Sequence, residues 1–380
     1  MKKIIAFIMA AILFLSMPTA VYAAKQEEVK EIYDQQLSVS GADDLYYSLP
    51  EETKRLLSET GMNDLSYDTI RNFDGNNIIQ TITKLAGEKS RSPFSSFFVI
   101  LGVMLLCSML EGTNITLGEN PLKKNLAAVG ALCISTSAVL PICQMVERCT
   151  EVIQGASGFM ALYVPVMTGL MVSSSHQLQG ASYYTTLMGT SELIGLMSSR
   201  LIVPFINVFL SLSVTASLSP SLKLTGICSA INRCLKWILN FSLGIFVTIL
   251  SSQSFVTSSM DEVSTRAVRF AMNSFVPVVG SVLSETVSTF SGSLSMLKSG
   301  TGVFVIIASA CIFLPVLIEC LFWRILLYLS GAVSQMLGLE SIRSVLQALE
   351  AVISLLMAVL LTIIMIFIIS TVIVLITGRQ

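Results

Sequence analysis

The stretch AVISLLMAVLLTIIMIFIISTVIVLI, from Ala351 to Ile376, runs without a single charged side chain. A bilayer core takes about 20 apolar residues per helix, so this stretch predicts a transmembrane helix. Similar apolar segments recur from Pro93 onward. Their predicted bounds are 94–110, 126–146, 155–172, 190–216, 237–256, 270–290, 302–328 and 350–376. The sequence therefore predicts an all-α polytopic membrane protein with about six to eight transmembrane helices.

The composition agrees with a membrane protein. Only 12% of the residues are charged, where soluble domains carry about 25%, and the mean hydropathy is +0.77. The formal net charge of −1 comes without a basic patch, which argues against nucleic-acid binding. All eight cysteines lie in or beside the apolar part, which favours cysteine as a small apolar residue over metal or redox chemistry.

The N-terminus has the three parts of a secretory signal peptide in order. Lys2 and Lys3 are followed by an apolar segment, and Val21-Tyr22-Ala23 places small residues before a cut between Ala23 and Ala24. Residues 1–23 are therefore predicted to be removed. The alternative is an uncleaved N-terminal anchor.

Residues 24–92 form the predicted exported region, which is acidic and helical. The pattern around Tyr33 predicts a first helix, and Pro50 to Gly61 reads as a helix with acids in its first turn and glycine as its stop. A third helix is predicted from an N-cap at Asp74 to a stop at Gly87. Residues 93–154 would then hold the first membrane helices.

Two short apolar motifs indicate an internal repeat. YVPVMTG begins at Tyr163 and FVPVVGS at Phe275, and the apolar segment after each also contains a proline. Aligning the two motifs predicts two membrane units, 155–256 and 270–376. The matched prolines are Pro165 with Pro277 and Pro204 with Pro315.

The orientation of the two units depends on the VPV segments. If each segment crosses the membrane, the second unit is inverted, as in many transporters, and if each is re-entrant, the units are parallel. The four prolines are candidate kinks whose freed carbonyls could line a pathway. The alternative is an ordinary packing kink, because proline is common in membrane helices. Lysine and arginine divide evenly between the two sides, with Arg148 and Lys298 in predicted exported loops, so charge does not decide the topology.

Ionisable residues within the spans are candidate functional residues. Glu319 and Arg324 could line an aqueous path or pair between helices, whereas an interfacial position is favoured for Glu192 and Glu285. His176 is the only histidine, and no phosphate-binding loop or nucleophile-elbow motif occurs. The sequence therefore predicts no enzyme, no catalytic residue, no metal site and no cofactor.

The order of these parts resembles the stage III sporulation protein AE family of endospore-forming bacteria. The strings FVPVVGSVLSET, from Phe275 to Thr286, and YVPVMTG, from Tyr163 to Gly169, carry the resemblance together with the signal peptide and the acidic exported segment. The resemblance implies a permease-like component of the channel complex that joins mother cell and forespore, located in the mother-cell membrane facing the forespore. The implied partners are the other proteins of the same sporulation operon and a forespore membrane protein.

Two functions from different classes remain open at this point. One is a non-enzymatic membrane subunit of a secretion or feeding channel, and the other is a self-sufficient secondary transporter for a small solute. Scarce intramembrane acids favour the first, because ion-coupled transporters usually need a carboxylate that binds the coupling cation. A scaffold that conducts nothing is a third option. Cargo, stoichiometry and a homo-oligomeric state are left open.

Overall fold

The structure is a computed structural model that describes residues 26–71, 73, 76–113, 121–173, 177–197, 200, 202–218, 225–275 and 280–377. It does not describe the side chains of 111–128, 253–275 and 280–289, or those of some residues at helix ends. The predicted signal peptide with Ala23 and Ala24, and Pro277, lie outside the described residues, as does the side chain of Glu285.

Regular structure in the described ranges is helical throughout, which confirms the predicted fold class. The helices are α1 Gln26–Ser40, α2 Asp43–Tyr47, α3 Glu51–Glu59, α4 Tyr67–Arg71, α5 Asn76–Thr113, α6 Pro121–Ser173, α7 Gln177–Met197, α8 Val203–Leu218, α9 Thr225–Phe275, α10 Gly280–Met336 and α11 Glu340–Thr377.

Five of the described helices are long and apolar enough to cross a membrane. The qualifying segments are Asn77–Leu110, Val129–Ser173, Gly226–Leu250, Gly292–Met336 and Glu340–Leu375, in α5, α6, α9, α10 and α11. A shorter apolar segment, Val203–Ala216, forms most of α8. These spans are fewer than the eight predicted segments, because 126–146 and 155–172 fuse into α6, whereas 190–216 is divided between α7 and α8.

Helix α6 is the clearest case of fusion. It joins the predicted spans 126–146 and 155–172 and passes through Pro141 and Pro165 as one helix of 53 residues. The break or re-entrant turn that the sequence allowed at Pro165 is therefore absent. Tyr163 and Met167 are buried in the bundle on either side of the proline, and their contacts hold the helix together against a proline cost of about 3 kcal/mol.

Helices α1 to α4, the predicted exported helices, pack on one another and continue the core of the long helices. Tyr33 of α1 is buried, donates a hydrogen bond from its hydroxyl to the Leu65 carbonyl at 3.1 Å, and meets the Tyr67 ring edge-on at 5.7 Å. Helix α3 ends as predicted. Gly61 adopts φ +87°, and the Met62 amide reaches back to the Leu57 carbonyl at 2.9 Å, which is the hydrogen bond of a glycine-terminated helix.

The predicted stop at Gly87 is wrong, because α5 continues through Gly87 and Pro93 to Thr113. A glycine within a helix costs only about 1 kcal/mol relative to alanine. Flanking ion pairs to α3, Lys84 with Glu59 at 2.6 Å and Lys89 with Glu52 at 2.8 Å, hold this stretch as a helix. The boundary placed between residues 92 and 93 therefore falls inside one continuous helix.

Helix α11 is the centre of the bundle. It runs antiparallel to α10 after a tight turn at Gly338, φ +75°, and packs against α6, α8, α9 and α10. Phe367 lies 6.1 Å from Phe313 of α10 between ring centroids. A side chain on Gly302 would collide with Leu375, so this glycine allows the two helices to approach closely. The apolar stretch from Ala351 to Ile376 is thus enclosed mainly by protein.

The landmarks of the predicted repeat lie in different surroundings. Pro204 is the second residue of the short helix α8 and is exposed, whereas Pro315 is buried in the interior of α10. Ile227 is half exposed, whereas its predicted counterpart Ile342 is fully buried. The repeat remains a prediction from the sequence alone.

Candidate functional site

Charged residues of α10 pair with charged residues of α6 and α11. Glu319 and Arg324 are five residues apart on α10, which places them about 140° apart around the helix axis. Each therefore faces a different neighbour, and each forms an ion pair there. Glu319 pairs with Arg148 of α6, and Arg324 with Glu350 of α11.

The pair of Arg148 and Glu319 is the tighter one. One guanidinium nitrogen, Nη1, donates to both carboxylate oxygens, at 2.8 and 2.9 Å. The Glu319 side chain is 7% exposed and that of Arg148 is 50% exposed. A buried carboxylate is thus held by a guanidinium that reaches it from the bundle surface, which provides the charge partner that a buried carboxylate requires.

The pair of Arg324 and Glu350 is looser. Arg324 Nε lies 3.8 Å from Glu350 Oε1, and the two side chains are 43% and 25% exposed. Exposed pairs of this geometry contribute about 0–1 kcal/mol. The two pairs connect α10 to α6 and to α11, and only the first of them encloses a buried charge.

The sequence prediction found half of each pair. It selected Glu319 and Arg324, and it named pairing between helices as one reading. It placed Arg148 in an exported loop, whereas Arg148 lies within α6, and it did not select Glu350. The signal in α6 is the run Glu147-Arg148-Cys149-Thr150-Glu151, an island of charge between two apolar stretches of one helix.

Other predicted site residues are not brought together. Glu192 lies exposed on α7 and forms no ion pair with another described residue. Pro165 and Pro204 are exposed on α6 and α8, and Pro315 is buried in α10. The described residues therefore show no common pathway formed by these prolines.

A second feature is the contact between the exported helices and α10. Gln36 Nε2 donates to the Phe290 carbonyl at 3.4 Å, and the Ser293 hydroxyl donates to Gln36 Oε1 at 3.0 Å. About two turns beyond Ser293, Gly300 packs against Ile70 and Tyr33. A Cβ atom at this position would lie only 2.6 Å from Ile70 Cδ1 and 3.1 Å from the Tyr33 hydroxyl. The exported helices are thus fixed along the first part of α10.

Lys298 lies in this same part of α10 and was predicted to be in an exported loop. It is 3% exposed, and its Nζ has no hydrogen-bond partner in the described structure. A buried amine without a partner is costly, so this position is not explained by stability.

Acidic side chains cluster where α1, α2 and the segment before α4 meet. Burial, with repulsion from Asp44, Asp64 and Asp34, raises the pKa of Asp43 above its ordinary value. Burial opposes ionisation of Asp64 as well, but hydrogen bonds from Thr69 and Ser66 outweigh it and lower its pKa. Negative charge is therefore tolerated well at Asp64 and poorly at Asp43.

Comparison with known proteins identifies one family. The family model described as Stage III sporulation protein AE matches residues 60–378, from the end of α3 to the end of α11. The Stage III sporulation protein AE of Bacillus subtilis (strain 168) is 23% identical over 193 residues, which cover 51% of this chain and 48% of that protein. The match thus spans about half the length of that relative. No solved structure matches the chain.

Proposed function

Since this chain belongs to the stage III sporulation protein AE family, we propose that it is a non-enzymatic integral-membrane subunit of the channel complex between mother cell and forespore. It resides in the mother-cell membrane that faces the forespore. Its exported helices project into the space between the two membranes, where they contact other proteins of the same sporulation operon and a forespore membrane partner.

The observation that carries this proposal is the attachment of the exported helices to α10. Hydrogen bonds from Gln36 and Ser293 and the close contact at Gly300 hold α1 and α4 against the bundle. Ion pairs between α3 and α5 add a second attachment. A membrane protein that holds an exported surface in a fixed position suits a subunit on which other proteins assemble.

The ion pair of Arg148 and Glu319 also favours a channel subunit over a solute transporter. An ion-coupled carrier needs a carboxylate that is free to take up and release its cation. Glu319 is instead engaged by Arg148 through two short hydrogen bonds. The pair therefore acts as a fixed connection between α6 and α10.

A pair of glycine substitutions tests the proposal. Gly300→Leu should push Ile70 and Tyr33 away from α10, whereas Gly292→Leu, two turns earlier on the same helix, meets open space. Both changes improve helix propensity by about 1 kcal/mol, so only the collision differs. In sporulating cells we expect Gly300→Leu to lower spore yield, late forespore gene expression and co-purification of the operon partners at normal protein level. Gly292→Leu should leave all three unchanged.

Two results would contradict the proposal. Normal sporulation in cells that lack the protein would remove the channel role. Solute uptake by the purified protein alone in liposomes would instead identify a self-sufficient transporter.

A further inference from the structure

Three sulfur atoms meet where α6 crosses α10, directly beside the Arg148–Glu319 pair. The Cys320 thiol of α10 donates a hydrogen bond to the Met145 thioether at 3.5 Å between sulfur atoms. The Cys149 thiol lies close enough to Cys320 for the two thiols to interact electrostatically. All three side chains are fully buried, at 2% exposure or less.

The spacing along α6 explains why the sulfur atoms converge. Met145 and Cys149 are four residues apart, so they lie one above the other on the same face of the helix. Cys320 approaches that face from α10 and contacts both. The sequence could not indicate this group, because Cys320 lies 175 residues from Met145 along the chain.

The donor set is soft and free of nitrogen. Two thiolates and one thioether are the ligands that Cu(I) prefers over harder divalent ions. A tetrahedral zinc site would need a fourth ligand, and no group of three or more histidine, cysteine or acidic side chains occurs in the described residues. From this arrangement we propose that Met145, Cys149 and Cys320 bind a soft monovalent metal ion, Cu(I), in three-coordinate geometry.

The contact between Cys320 and Met145 is close to the spacing that such an ion needs. With metal–sulfur distances of about 2.3 Å, as for zinc thiolates, three sulfur atoms in a plane around an ion are about 4 Å apart. The Cys320–Met145 distance of 3.5 Å therefore needs to widen by only about 0.5 Å. The helices can keep their positions while the side chains turn.

Binding of the ion leaves one negative charge at the site. Binding replaces the two thiol protons, which pass to solvent, and leaves a complex of one Cu(I) and two thiolates with a net charge of −1. Arg148 directly precedes Cys149 in the sequence, and its side chain is half exposed. It is the nearest cation and also pairs with Glu319, and it brings the site within one side chain of the bundle surface.

Metal titration of the purified full-length protein tests this site. The exposed cysteines Cys133 and Cys234 are first changed to serine, because exposed thiols bind Cu(I) on their own. Cu(I) is then titrated against a colorimetric Cu(I) chelator under reducing, oxygen-free conditions. We expect one Cu(I) per chain, and X-ray absorption should show sulfur neighbours only.

The variants separate this site from general thiol binding. Cys149→Ser and Cys320→Ser should weaken binding by more than about 100-fold, since even outer partners of metal ligands are worth about 10- to 100-fold. Met145→Leu should weaken it less. Cys311→Ser is the matched control, because Cys311 is also a buried cysteine of α10 and should leave binding unchanged.

A second measurement does not depend on the variants folding. In denaturant below the unfolding transition, where partial opening makes buried thiols reactive, one equivalent of Ag(I) should slow alkylation of Cys149 and Cys320, read by mass spectrometry, and leave the rate at Cys311 unchanged. Equal alkylation with and without Ag(I) would overturn the proposal. So would equal Cu(I) affinity after Cys149→Ser or Cys320→Ser, or a disulfide between these two cysteines in protein kept from air.

Discussion

Removing the Arg148 charge should destabilise the bundle through Glu319. In Arg148→Met the side chain keeps most of its length but loses both hydrogen bonds to the carboxylate, at 2.8 and 2.9 Å. A hydrogen bond to a charged group contributes about 1.5–3 kcal/mol. Because the guanidinium is half exposed and water screens the pair, we expect a total loss of about 2 kcal/mol rather than twice the single value.

A double-mutant cycle measures this loss as an interaction. Arg148→Met, Glu319→Leu and the double variant are unfolded with denaturant in lipid–detergent micelles and followed by circular dichroism. Arg148→Met should change the unfolding equilibrium about 30-fold, since 1.4 kcal/mol corresponds to a factor of ten. The double variant should recover most of the stability, because an apolar pair of similar volume often replaces a buried ion pair without cost.

The looser pair on α10 provides the control. Arg324→Met removes a partner 3.8 Å from a more exposed carboxylate, and we expect a loss below about 1 kcal/mol. If Arg148→Met and Arg324→Met have equal effects, burial of Glu319 does not determine the strength of its pair. A double variant that is less stable than Arg148→Met would refute the argument as well.

The remaining predictions concern four other positions. Lys298→Met should raise the melting temperature of the purified protein, because the buried amine has no hydrogen-bond partner among the described residues. Asp43→Asn should stabilise the protein at pH 7, and this gain should disappear in acid as the pH falls through the raised pKa of Asp43, because the native carboxyl then becomes neutral too. Pro165→Ala should hold or raise protein level, since alanine is favoured over proline within a helix by about 3 kcal/mol, and spore yield shows whether the proline has a further role. Mass spectrometry of the membrane-extracted protein should find Ala24 as its first residue.

Each of these predictions has a result that would contradict it. A lower melting temperature for Lys298→Met would mean that the amine has a stabilising partner. A gain for Asp43→Asn that persists in acid would exclude ionisation as its cause. A lower protein level in Pro165→Ala would contradict the expected gain in helix stability, and an intact Met1 terminus would exclude signal cleavage.

The sequence predicted what depends on local pattern and composition. The apolar stretch from Ala351 to Ile376 indicated a membrane helix, and α11 is one. The glycine stop at Gly61 was predicted correctly, because a left-handed residue there ends α3 before a change of chain direction. These features depend on residues close together in the chain.

The sequence failed where a distant contact outweighed a local signal. Gly87 and Pro165 both reduce helix stability locally, yet α5 and α6 pass through them, because neighbouring helices hold both sides of each position. The partner of Glu319 lies 171 residues away, and no spacing rule connects the two. A single sequence can therefore select a buried charge without showing what neutralises it.

The continuity of α5 has a mechanical consequence. Its first turns are attached to α3 by ion pairs, and its later turns form a candidate membrane span without an intervening loop. A load applied to the exported helices would therefore pass along α5 as tension or torque, with Pro93 as the position inside the helix where bending is favoured. A tilt of helices α1 to α4 and a rotation of the α5 span in the membrane should therefore be coupled.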